Sequence, residues 1–312
     1  MLDTHGREVR ALRLAVTEAC DMRCRYCMPE NGIAPRGEAL SADELVAIAR
    51  AAARCGINKI RITGGEPLIR PDIIEICERI GRLQGIEELC LTTNGTRLAR
   101  LAQPLRQAGV RRVNLSLDSL RPDRYQSITR GGNLSDVLSG LDAALQAGFD
   151  RVKLNCVLMG DLNEDEIADF VALTRAMPVD VRFIELMPMG ECARWPQSAF
   201  VNASEVLRRC PELVPLDREG VAQRYRLPDG QGAVGLISPM SHAFCGDCDR
   251  IRVTADGMLK PCLHSGLELN LRGLDDAALL AIVAEGIGDK PATHSLNETG
   301  TGTTRRMNQI GG

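Results

Sequence analysis

Aromatic residues are scarce, making up only 3% of the 312 residues. So small a supply of stacking rings argues against binding single-stranded nucleic acid on aromatic platforms. Neither sign of charge dominates: 38 Lys and Arg stand against 41 Asp and Glu, a net charge of -3. That balance excludes bulk attraction to nucleic acid or to an anionic membrane as the main activity. No apolar run approaches the ~18 residues that a bilayer-spanning helix needs. Met1 to Arg10 is charged and lacks an apolar stretch, so no signal peptide is expected. No G-x-G-x-x-G follows the first β-rich run, which argues against a dinucleotide-binding Rossmann domain.

What is present is the mix of a globular enzyme, 44% hydrophobic and 25% charged. A chain this long buries a sizeable core without disulfide staples. Its twelve cysteines therefore need another explanation. A reducing, cytoplasmic location is expected, where closely spaced cysteines more often bind metal than pair with each other.

From about Val9 to Pro188 a β-rich run followed by an amphipathic helical stretch recurs. The runs are Val9–Val16, Ile57–Thr63, Glu87–Thr93, Val110–Leu117, Arg151–Leu158 and Asp180–Met187. Helices are predicted over Ser41–Arg54, Pro71–Gly81, Thr96–Ala108, Ser135–Ala147 and Asn163–Ala176. The first opens with a capping box, Ser41 with Glu44; the third and fourth stop at Gly109 and Gly148. Such repeats predict an α/β fold with a right-handed parallel sheet, either doubly wound or a partial or complete barrel. Polar residues near the strand ends (Thr63, Thr92–Asn94, Ser116–Asp118, Asn155, Glu185) favour a TIM-like barrel. The expected division is a partial barrel over 1–188 and a C-terminal extension over 189–312, packed on the barrel, with a short helix at Asp275–Ala284 and a Gly/Thr-rich tail from Thr299.

Two cysteine clusters carry the chemistry. Cys20, Cys24 and Cys27 form C-x3-C-x2-C on the first βα loop, with no nearby fourth Cys or His. Three thiolates can hold three irons of a [4Fe–4S] cube and leave the fourth open, whereas zinc wants four ligands. Cys245, Cys248 and Cys262 form C-x2-C-x13-C. Here spacing leaves two readings: a second [4Fe–4S] cluster, or zinc with His242 or His264 as fourth ligand.

Between them, alternate strand positions form a polar face: Arg13, then Lys59, Arg61 and Thr63, then Thr92 and Asn94, then Lys153 and Asn155, then Arg182. Leu12, Leu14, Ile60, Ile62, Val152 and Leu154 form the opposite, apolar face. Such a face either lies against water or, if covered as α/β strands usually are, needs a counter-anion, and Arg and Lys suit a triphosphate. Arg250 and Arg252 alternate beside the second cluster and can face the same ligand. The cysteines at 55, 77, 90, 156, 192 and 210 read as buried hydrophobes.

The first cluster, with Tyr26 before its third Cys and Gly64-Gly65-Glu66-Pro67 after the second strand, resembles the radical S-adenosylmethionine (radical SAM) family. Glycines there let backbone approach a ligand, and a carboxylate can receive an ammonium group. With Arg61-Ile-Thr-Gly-Gly-Glu-Pro-Leu, Thr92-Thr-Asn-Gly, Asn114-Leu-Ser-Leu-Asp-Ser, Phe183-Ile-Glu-Leu-Met-Pro, the second cluster and the final Gly311-Gly312, the chain is similar to the branch of that family that cyclises GTP for molybdenum cofactor biosynthesis.

That resemblance implies an incomplete (βα)6 barrel whose open side is covered by the C-terminal segment. It implies two [4Fe–4S] clusters, on Cys20, Cys24 and Cys27 and on Cys245, Cys248 and Cys262. SAM would meet Tyr26, Gly64, Gly65, Glu66, Ser116 and Met187. GTP would be held by Arg13, Arg61, Thr92, Lys153, Arg250 and Arg252, with Lys59 and Arg182 as further candidates, its guanine on the second cluster. A 5′-deoxyadenosyl radical would take the C3′ hydrogen, the C3′ radical would attack C8, reduction of the resulting aminyl radical would give the cyclised nucleotide, and the chain's own side chains would do no covalent chemistry. The Gly-Gly tail would reach the active site. Implied partners are an electron donor and the next pathway enzyme, cyclic pyranopterin monophosphate synthase; nucleic acid and membrane are not expected, and the protein would be a monomer or homodimer. The alternatives are a peptide-modifying radical SAM enzyme, which would not need the strand-borne cations, and a zinc or iron–sulfur sensor, which would not cleave SAM.

Overall fold

A computed structural model describes residues 1–294, 296 and 300–311. Six parallel strands lie side by side in chain order: β1 (Ala11–Ala15), β2 (Lys59–Thr63), β3 (Glu88–Thr93), β4 (Val110–Ser116), β5 (Arg151–Leu158) and β6 (Val179–Glu185). Between them run α1 (Ala42–Arg54), α2 (Ile73–Gly81), α3 (Leu98–Gln107), α4 (Pro122–Thr129), α5 (Leu134–Gln146) and α6 (Ile167–Ala176). The start of α1 is the capping box expected from the sequence: Ser41 Oγ accepts from the Glu44 amide, and the Glu44 carboxylate accepts from the Ser41 amide at 2.8 Å. Helix α4 is not among the predicted helices. Its buried apolar side chains are only Tyr125 and Ile128, too few to write a periodicity, and it ends on Arg130 at φ 53°. The helix predicted from Asn163 begins with a tighter 3₁₀ turn, Glu164–Glu166.

The segment after β6 does not simply pack on the barrel, as the sequence suggests. It extends the sheet at both flanks. It contributes α7 (Glu205–Arg209), β7 (Val214–Glu219), β8 (Ala222–Arg226), β9 (Ala233–Ile237), β10 (Arg250–Val253), β11 (Met258–Lys260), β12 (Leu269–Asn270), α8 (Asp276–Gly288) and α9 (Met307–Ile310). Strand β9 pairs parallel with β6 and β10 pairs parallel with β1, placing Arg252 opposite Arg13. Antiparallel β8–β7 and β11–β12 complete the two ends of a twelve-strand sheet. Its parallel centre is TIM-like but does not close.

The strand alternation divides the interior. Leu12, Leu14, Ile60, Ile62, Val152 and Leu154 are at most 3% exposed and pack with the helices in one core. At ~25 cal/mol per Å² of apolar surface this layer dominates the fold's stabilisation. The other face turns inward and carries the polar set. The tail is anchored there: Arg305, 3% exposed, pairs with Asp256 at 2.8 Å and Glu268 at 2.6 Å. Arg252 Nη1 then donates to the Gly311 carbonyl at 2.7 Å. Gly312, the second glycine of the expected tail motif, and Thr299, where the tail is expected to begin, lie outside the described residues.

Candidate active site

Cys20, Cys24 and Cys27 occupy the loop after β1, and the turn after β2 presses against it. The Gly65 amide donates to Thr17 O at 2.7 Å and the Glu66 amide to Ala19 O at 2.8 Å. A Cβ at Gly64, whose φ is +153°, would stand 2.4 Å from Thr17 O, and one at Gly65 2.3 Å from Ala19 O. The glycine pair is therefore needed for the close approach of the chain to itself, which fixes the cysteine loop, beyond any approach to a ligand. Glu66 has structural partners as well. Its carboxylate accepts from Leu68 N at 2.9 Å, Thr93 Oγ1 at 2.7 Å and Asn94 N at 2.6 Å, and it does not line the cavity. Burial raises it to about 7 against those donors. It ties the β2 turn to the end of β3.

A single cavity runs from the first cysteine triad to the second. Its walls include Cys20, Cys24 and Cys27 with Tyr26, Gly64, Gly65, Ser116 and Met187, and Cys245, Cys248 and Cys262 with Arg13, Thr92, Arg250 and Arg252. Tyr26 donates its hydroxyl to Asp118 Oδ2 at 2.8 Å, so the ring is fixed. The two triads differ in their surroundings. Burial pushes the Cys20 and Cys27 thiols up to about 12 and Cys24 further. At the other end burial also opposes the thiolate, but Arg250 and Lys290 bring Cys248 down to about 7.

The donor sets suit iron–sulfur clusters. Each site offers three thiols, and thiolate is the ligand these clusters take. Among the described residues no three Cys, His, Asp or Glu side chains converge as they would on one ion; thiolates that each take a different iron of a cube need not. The walls also hold polar atoms without a protein partner, Arg13 Nε, Asn114 Oδ1 and Asn155 Oδ1. Buried polar atoms of this kind call for a polar ligand. Arg13 is held well below its usual value by burial and by Arg252, Arg250 and Arg61. Four guanidiniums so close together favour an anion among them.

Not every expected cation reaches that wall. Lys59, Arg61, Lys153 and Arg182 are absent from it. Lys59 is paired with Glu88. Lys153 donates to Glu219 at 2.8 Å and Arg182 lies 3.5 Å from the same carboxylate. Glu219, at the end of β7, also meets Arg112 at 3.2 Å and Arg151 at 3.0 Å. Part of the counter-charge is thus supplied by the chain itself, deeper along the strands. Arg61 keeps Nη1 buried and unpartnered.

Glu219 makes a pH-dependent contribution. Burial opposes ionisation, but Lys153, Arg182 and Arg151 hold it at about 2, below the ordinary 4.5. The stabilisation is therefore present above about pH 4.5 and lost as pH falls through about 2. We expect Glu219→Gln to cost about 3 kcal/mol in urea denaturation at pH 7, with a smaller gap at pH 3. Equal gaps at both pH values would contradict this.

Several wall residues carry no binding signal in the sequence: Asn114, Cys192, Phe244 and His294. Asp118, a plausible ribose or methionine contact, and His264, a candidate fourth zinc ligand, join them in the wall. Asn114 is legible only as a polar residue of β4. Cys192, expected to be a buried hydrophobe, is buried, but its thiol donates to Tyr26 O at 3.4 Å beside the first triad. The His264 and His294 rings lie with centroids 4.9 Å apart, tilted by 58°, and share the cavity wall with Cys262. Their meeting across thirty positions has no local signature.

Comparison with known proteins accords with this geometry. Residues 14–174 match the radical SAM superfamily and residues 179–296 the Molybdenum Cofactor Synthesis C family. The chain is 45% identical to the GTP 3′,8-cyclase of Alkaliphilus oremlandii and 46% identical to that of Alkaliphilus metalliredigens, covering 100% of both chains in each case. That of Moorella thermoacetica is 44% identical, again over 100% of both. Among solved structures, Streptococcus suis SuiB shares the fold with a TM-score of 0.64 at 15% identity, over 88% of this chain and 65% of that one. AdoMet-bound anSMEcpe does so with a TM-score of 0.58 at 15% identity, over 86% and 80%.

Proposed function

The chain belongs to the GTP 3′,8-cyclase family of radical SAM enzymes, and from that premise we propose which of its residues bind, orient and shield the reactants. The enzyme acts with two [4Fe–4S] clusters and SAM on GTP, in the first step of molybdenum cofactor biosynthesis. Held by Cys20, Cys24 and Cys27, the first cluster with SAM would supply a 5′-deoxyadenosyl radical to take the C3′ hydrogen of GTP, and closing C3′ onto C8 would then consume one further electron and a proton from outside the chain.

The observation that carries the residue assignment is the shared cavity, with one triad at each end and Arg13, Arg250 and Arg252 in the wall. Cys20, Cys24 and Cys27 hold the cluster that meets SAM, with Tyr26, Gly64, Gly65, Ser116 and Met187 around the nucleoside. Glu66 acts on SAM only through the turn it fixes. Cys245, Cys248 and Cys262 hold the second cluster. Arg13, Thr92, Arg250 and Arg252 bind GTP directly, and the free Nη1 of Arg61 supports a role for that residue. Lys59, Lys153 and Arg182 form a layer behind them, matched by Glu88 and Glu219. Placing two reactants in one walled cavity supplies orientation and keeps water and other hydrogen donors from the radical. The division of labour follows the chain: residues 1–188 generate the radical and residues 189–312 hold the second cluster.

A cytoplasmic location is supported by twelve free cysteines, which a reducing compartment preserves. No described helix is long and apolar enough to cross a membrane. We also propose that the product passes to a cyclic pyranopterin monophosphate synthase, that a separate donor supplies electrons, and that the protein acts as a monomer or homodimer. Anaerobic incubation with SAM, GTP and dithionite tests the reading: 5′-deoxyadenosine and a cyclised nucleotide are expected together. Cleavage of SAM with GTP returned unchanged would overturn the substrate assignment.

A further inference from the structure

Lys290 follows α8 and is 3% exposed. Its Nζ lies 3.3 Å from Cys248 Sγ, 2.9 Å from the Arg250 carbonyl and 3.4 Å from that of Pro261. Two other buried lysines, Lys153 and Lys260, have carboxylate partners in Glu219 and Glu268. Among the described residues no carboxylate pairs with Lys290. A buried ammonium without an anion costs several kcal/mol, and the group within bonding distance that becomes anionic on binding iron is the Cys248 sulfur.

The position is built rather than incidental. Arg7, fixed by Asp3 at 2.6 Å, donates to the carbonyls of Lys290 at 3.1 Å, Pro291 at 2.8 Å and Ala292 at 3.1 Å. The same guanidinium donates to the Cys245 carbonyl at 2.8 Å. One side chain from the start of the sequence thus clamps residues 290–292 to the loop that carries the second triad. Among the described residues no equivalent cation pairs with the first triad, where Asp21, Glu66 and Asp118 are charged neighbours of the thiols.

We infer that Lys290 is a positioning residue for the second triad, whose ammonium neutralises the Cys248 thiolate and makes the iron–sulfur group held there easier to reduce. The inference rests on the functional reading above, since it needs a cluster at that site. Hydrogen bonds and positive charge at cluster sulfurs stabilise the reduced form, which carries one more negative charge.

The test uses the full-length chain with Cys20, Cys24 and Cys27 changed to Ala, so that only the second site gives a signal, reconstituted anaerobically. Metal content is read first: zinc instead of iron in this parent would sink the functional reading and this inference with it. With iron present, redox titration followed by electron paramagnetic resonance compares Lys290→Met and Lys290→Arg. Lys290→Met should lower the reduced-to-oxidised ratio at a fixed potential about tenfold, equal to about 59 mV for a one-electron couple, and Lys290→Arg should return most of it. Loss of iron in Lys290→Met but not in Lys290→Arg also supports the charge as the cause. An unchanged ratio in a fully loaded Lys290→Met protein, or equal loss of iron in both variants, overturns it.

Discussion

In anaerobically reconstituted protein, Cys24→Ser is expected to retain about four of about eight irons and to lose all cleavage of SAM. Ligand count sets this outcome. Cys20, Cys24 and Cys27 line one end of the cavity, and no other Cys or His stands within that loop to replace a lost thiolate. Burial already pushes all three thiols up, so thiolate at this end depends on iron being bound. Removing one ligand removes the anchor and with it the iron that meets SAM. The second triad lies on the distant β10 side of the same cavity and should keep its iron. Iron analysis and assay of 5′-deoxyadenosine check both halves. Full iron content with normal SAM cleavage would mean that Cys24 is not a ligand.

The second large effect is expected at Arg13, and it has opposite signs in two measurements. Arg13 stands opposite Arg61 on one side and Arg252 on the other, with Nε buried and unpartnered. In the metal-free protein, Arg13→Met removes a buried charge that faces like charges, so resistance to urea should rise. In the loaded protein the same substitution removes a charged donor to the triphosphate, worth about 2–3 kcal/mol. GTP affinity should therefore fall roughly 30- to 150-fold, while iron content stays unchanged. A merely structural arginine would show the reverse, with lower stability and little change in GTP binding; calorimetry and urea denaturation separate the two.

Much of this site is legible in the amino-acid sequence, because its signals are local. The three cysteines within eight positions, the Gly-Gly-Glu-Pro turn and the capping box at Ser41 each depend on neighbours a few residues apart. Strand alternation likewise sorts Arg13 from Leu12 and Leu14, since side chains two apart share a face. Alternation does not say how deep along the strand a residue lies. Lys59 and Lys153 share a face with Thr63 and Asn155 but sit nearer the strand starts, where Glu88 and Glu219 meet them. Glu219 itself ends a short hairpin strand and looks like a surface charge; what makes it internal is the pairing of β9 with β6, fifty residues apart in sequence. The pairing of β10 with β1 spans more than two hundred residues, which no local pattern encodes. The structural bonds of Glu66 to Thr93 and Asn94 are equally illegible, because they come from the next strand over.

The central claim is that each triad leaves one iron free for a small molecule and that both face one cavity. Electron paramagnetic resonance of the fully loaded, reduced protein tests it most directly, with SAM and GTP added separately. SAM should shift the signal that disappears in Cys24→Ser, and GTP should shift the signal that survives it. If neither addition moves its signal, or if GTP moves the surviving signal no more than inorganic triphosphate does, the two-ended site described here is wrong.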